Sequence, residues 1–178
     1  MKRGRLVVVM AIAALVGAAV PTLAASLHAT SPSRIVTSTA RDALRERHVA
    51  VDLSATGGQK VTILSFTLPA GSWILSAEAT LVNFGPATYA RCQITADGTQ
   101  IASGTTTVGD PSLPGANAEA TTVAGRGLLG SVKSSTSFSA ALKCWHDEST
   151  PAGEAVPYVD PGAVVWAHKS PNLDGTTS

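Results

Sequence analysis

The chain has 178 residues, a length that favours one domain. Thirteen basic residues face twelve acidic ones, and only 14% of the chain is charged. That balance leaves no basic stripe and excludes nucleic acid as a partner. Two cysteines without a Cys-x-x-Cys motif give redox catalysis no support.

Met1-Lys2-Arg3-Gly4-Arg5 is a basic start. An apolar run from Leu6 to Val20 follows, broken only by Gly17, and then the small residues of Pro21-Thr22-Leu23-Ala24-Ala25-Ser26. This order predicts a secretory signal peptide over 1–25, cleaved after Ala24 or Ala25. An uncleaved anchor is the alternative, but a membrane span needs roughly 20 apolar residues and this run is shorter. No adjacent Arg-Arg pair is present, so the general secretion route is expected. No cysteine near the cleavage point can carry a lipid, and no later segment is long and apolar enough to span a bilayer. The expected mature chain is secreted, extracellular and free of the membrane. Lys2, Arg3 and Arg5 leave with the leader, so ten basic residues remain against twelve acidic, a net charge of −2.

Residues 26–33 are polar, small and Pro-containing, and are expected to be a loose start. Arg34 to Thr39 fits a first strand. Ala40 to Arg47 fits either one helical turn or a charged edge strand that discourages sheet-to-sheet aggregation. His48 to Leu53 alternates, Ala55 to Gln59 is a turn, and Lys60 to Leu68 alternates again. Pro69 ends that strand because it has no N–H to donate, and Gly71 turns the chain. In the next strand Trp73, Leu75, Ala77, Ala79 and Leu81 share one face. A strand reaching Val82 is long for a small domain, where about 5–6 residues is usual. Thr88 to Ala96 and Thr99 to Val108 flank Asp97-Gly98, a strong hairpin signal. A Pro/Gly loop spans 109–117. Ala118 to Val132 alternates weakly, and Phe138 to Cys144 strongly. Residues 145–161 read as the longest loop, Ala163 to Lys169 as a closing strand, and 170–178 as a frayed tail.

Eight to ten strands with almost no helix predict an all-β, antiparallel two-sheet β-sandwich over 34–169. No tryptophan lies between Cys92 and Cys144, which lowers the immunoglobulin alternative and leaves a jelly roll ahead. In an exported chain the two cysteines form one disulfide by default, a free reactive pair being the alternative. In Phe138, Ala140, Leu142 and Cys144, which share a face, the sulfur points inward. The bridge is expected to pin two facing layers together.

The spacing Phe66-x-x-Pro69-x-Gly71-x-Trp73-x-Leu75 resembles the core motif of C1q/TNF-like jelly-roll domains. Leu68-Pro69-Ala70-Gly71-Ser72-Trp73 looks more like the version in small secreted actinobacterial proteins of unknown function. The likeness covers roughly 34–169 in style, with specific letters only around 66–82 and near the cysteines. It departs from eukaryotic C1q domains in its few aromatics and in lacking a collagen-like stalk. The resemblance implies a jelly-roll fold and a homo-oligomer, commonly a trimer.

Candidate sites are few. Trp145, His146, Asp147 and Glu148 form the one cluster of titratable groups, read as a possible contact loop. Such a loop would hold a divalent ion or begin a sugar-binding rim with Trp145 as a stacking platform. The bland alternative is a solvated loop, because neighbours on a strand point in opposite directions and three in a row rarely converge on one ion. There is no Gly-x-Ser-x-Gly elbow and no phosphate-cradling loop, so no catalytic residue, metal or cofactor is expected. Trp73 and Trp166 are read as core, with outward contact roles as the alternative. Ile74, Val82 and Phe84 are read as outward candidates for a self-associating face. The sequence therefore points to a non-enzymatic protein that binds or assembles. A small secreted hydrolase or carbohydrate-active protein using the 145–160 loop is the second reading.

Overall fold

The computed structural model describes residues 41–110, 112 and 122–171. The expected leader, the start at 26–33, the strand at 34–39, most of the 109–117 loop and the tail from 172 lie outside the described residues.

The described residues contain ten strands and no helix. Residues 42–47, open between a helical turn and an edge strand on sequence grounds, form β1 (Asp42–Arg47). The chain continues through β2 (Val51–Asp52), β3 (Val61–Leu68), β4 (Gly71–Val82), β5 (Thr88–Ala96) and β6 (Thr99–Val108). It ends with β7 (Val123–Ser134), β8 (Phe138–His146), β9 (Tyr158–Val159) and β10 (Ala163–Lys169). The predicted 145–161 loop is shorter than expected, since β8 runs through His146 and β9 interrupts the rest.

Two antiparallel sheets result, of six and four strands. Two interruptions disguise their order. Arg47 faces Ala163 and Val51 faces Val159, which is one unbroken register, so β1 and β2 are two ends of one strand. Likewise β9 and β10 both pair with the same side of β4, separated by a short break at Asp160–Gly162. Counted so, one sheet runs β1/β2, β9/β10, β4, β7, and the other β3, β8, β5, β6. Eight strands distributed between two sheets in this order make a jelly roll.

The Pro69–Gly71 turn does not close a hairpin. β3 pairs with β8 in one sheet, whereas β4 pairs with β10, β9 and β7 in the other. The turn carries the chain from layer to layer. Gly71 has φ +143°, a backbone conformation that favours glycine, and a Cβ there would also displace the end of the Lys169 side chain. The indole of Trp73 donates to the Pro69 carbonyl at 3.0 Å, which locks the crossover and satisfies a buried donor. By contrast β5 and β6 do form a tight hairpin, with Asp97 at φ 46° and Gly98 at φ 81°, both left-handed as a type I′ turn requires.

The core lies between the sheets. One side supplies Trp73, Leu75, Ala77, Ala79 and Leu81 with Val165, Ala167 and Leu128, all buried. The other supplies Ile63, Leu68, Ile94, Phe138 and Leu142 around the cysteines. Cys92 and Cys144 are bonded and fully buried, as their strand phase implies. Their place differs from expectation. They face each other across neighbouring strands β5 and β8, so the link staples one sheet and does not join the layers. Apolar packing holds the layers together, aided by Arg45 of β1 over the Phe66 ring of β3 and by Asn83 bonding to the Val108 carbonyl of β6. The link still restricts the unfolded chain, by about 4 kcal/mol for a loop of this length.

Candidate functional site

The predicted contact loop is not a single site. Trp145 and His146 end β8 and point to opposite sides of the sheet. Trp145 looks outward and is half-buried. Lys60 Nζ sits 4.7 Å from its ring centre, so one face of the proposed stacking platform is occupied. His146 looks inward, only 2% exposed, and its Nε2 donates to the Ser54 carbonyl. Asp147 turns back to Arg91, which grips it through Nε at 2.8 Å and 2.9 Å and through Nη2 at 2.6 Å. The guanidinium holds the Asp147 carboxyl below its ordinary range, chiefly by hydrogen bond; burial opposes this, and the charge of Arg91 adds a lesser lowering. That is opposite to what a general acid requires. Glu148 is exposed.

His146 and Glu148 line a cleft of about 70 Å³ at one end of the sandwich, with Asn83, Thr88, Thr150 and Pro157. Small-molecule sites usually occupy about 300–1,000 Å³, so this cleft has room for a few waters and not for a sugar ring. Most of its polar groups bond to the loops around it, but the buried Thr150 hydroxyl has no partner. Asn83 donates to the carbonyls of Pro86 and Val108 and accepts from the Gly85 N–H. Among the described residues, no group of three or more His, Cys, Asp and Glu is placed to hold a metal ion.

The outer face of the six-stranded sheet is different. Inter-strand register places Leu44, Trp166, Ser76 and Leu129 side by side in one row across β1, β10, β4 and β7. Leu44 is 54% exposed, Trp166 40% and Leu129 71%. Trp166, read as core from sequence, is an outward residue. Its ring stacks on His168 at 5.5 Å, and Asp42 Oδ1 holds His168 Nδ1 at 2.8 Å, so the indole is braced. Half-buried Ile74 and Val164 flank the row. Of the three residues first assigned to this face, Ile74 is outward and Val82 is buried. Phe84 lies beyond the strand, 62% exposed with its ring 6.5 Å from Tyr158.

Leu44 and Leu129 were legible in principle. In Leu128-Leu129 strict alternation forces one leucine outward, and Leu44 shares a phase with Asp42 and Glu46 in a charged strand. Arg91 had no local signal, because its partner lies 56 residues away.

No family model matches the chain and no curated protein matches it. Among solved structures it is similar to the C-terminal domain of EclA, a sugar-binding protein. The identity is 14%, over 77% of this chain and 86% of that one, with a TM-score of 0.34. At that score the likeness bears on neither fold nor ligand.

Proposed function

We propose that this is an exported, non-enzymatic jelly-roll protein that self-associates through the outer face of its six-stranded sheet. The observation that carries the reading is the exposed row Leu44, Trp166 and Leu129. Adjoining large apolar side chains on a sheet face mark an interaction surface, whereas single scattered ones need no explanation. Export is supported by the N-terminal pattern and by a buried disulfide, which persists in oxidising compartments. The C1q/TNF-like motif around 66–82, set on jelly-roll topology, supports assembly as the working mode.

The hydrolase reading finds no support at 145–160. Asp147 is tied to Arg91, His146 to Ser54, and the adjoining cleft is too small for a sugar substrate.

Light scattering across a concentration series tests the proposal. The exported protein should rise above monomer mass as concentration increases, and Leu129→Glu should return it to monomer with its melting temperature unchanged. A wild-type protein that stays monomeric at the highest concentration would sink the reading.

A further inference from the structure

Resting on that self-association, the geometry points to one arrangement: a two-fold dimer whose axis runs along the strands, with Trp166 of each copy seated over Ser76 of the other. The row Leu44, Trp166, Ser76, Leu129 reads large, large, small, large. Strands lie about 4.8 Å apart, so Leu44 and Leu129 are roughly 14 Å from each other. The centre of the row falls between Trp166 and Ser76. A half-turn about an axis through that point, parallel to the strands, exchanges β1 with β7 and β10 with β4. It sets Leu44 on the partner's Leu129 and drops each indole into the gap over a serine.

Charge selects the same axis. Beside the row stand Asp42, His168, Ile74 and Ser131 on one side and Glu46, Val164, Glu78 and Gly127 on the other. Under the along-strand axis Asp42 meets the partner's Ser131, Glu46 the partner's Gly127, His168 the partner's Ile74 and Val164 the partner's Glu78, so no two carboxylates face each other. The other in-plane axis, across the strands, would set Asp42 against the partner's Glu46 and Trp166 against the partner's Trp166. Like charges and colliding rings disfavour it. Such a patch, four strands wide and about five residues deep, covers on the order of 1,000 Å² over both copies, the lower end for a specific interface.

The test uses Leu44→Cys and Leu129→Cys variants, oxidised alone and mixed, with mass spectrometry of the linked peptides. The expected result is a 44-to-129 link in the mixture, no link within either variant alone, and a dimeric mass for the unmodified protein. Ser76→Trp should abolish association without changing thermal stability, since two indoles then compete for one space. A trimeric mass, or a dimer without the mixed link, leaves self-association standing and overturns this arrangement. A monomeric mass at every concentration overturns both.

Discussion

The two outer faces of the sandwich are built from the same alternating strands and finish differently. On the four-stranded sheet long polar side chains close over one another. Arg91 spans Asp147 and Thr105, and Lys60 reaches both the Trp145 ring and Gln93 at 3.1 Å. Gln93 and Thr95 point outward yet are buried beneath this layer. On the six-stranded sheet the outward positions next to the row include Ser76, Gly125, Gly127 and Ser131, too short to cover their neighbours. Leu44, Trp166 and Leu129 are left standing in water. Which face is left to bind thus depends less on how many apolar residues it has than on whether long side chains cover them.

If the faces differ in this way, perturbations of the first should register as lost stability and perturbations of the second as lost association. The largest effect falls inside the closed sheet. Replacing Cys92 and Cys144 together with Ala should cost about 4 kcal/mol in urea unfolding, a large share of the roughly 5–15 kcal/mol typical of a domain. The mass in solution of the remaining folded fraction should not change.

The two outward tryptophans sharpen the contrast. Trp145→Ala should cost about 2 kcal/mol through lost packing and leave association unaltered. Trp166→Ala should stay within about 0.5 kcal/mol of wild type and weaken association at least tenfold. Equal effects of the two on unfolding would erase the distinction between the faces.

The smallest effect is pH-dependent. The Asp147 carboxyl is depressed in the folded state by Arg91, so its contribution is present above the unfolded carboxylate range. It is lost as pH falls through the depressed folded value. Melting temperature in wild type should therefore decline across acid pH more steeply than in Asp147→Asn, and the two curves should converge at the acid end. Parallel curves would show that the pair adds no pH dependence.

Strand existence was readable because it rests on a period of two within a few residues. The inward set on β4 from Trp73 to Leu81, the Asp97-Gly98 hairpin and the inward sulfurs all follow from that local rule. At 145–148 the same rule already argued against convergence, and the structure adds that β8 extends through His146, so Trp145 and His146 face opposite ways. Trp166 was misassigned because alternation separates two faces and does not say which one is covered.

What the sequence determined by itself was the alternation, the turns and the side of each strand that seeks apolar company. Which strands become neighbours was decided only by the tertiary structure. Asp42 meets His168 across 126 positions, Arg91 meets Asp147 across 56, and the Pro69–Gly71 turn carries the chain from one layer to the other. The physical reason is that backbone hydrogen bonds between strands are nearly alike whatever the side chains. Partner choice therefore follows from how the whole core closes, and the exposed row on the six-stranded sheet exists only once that choice is made.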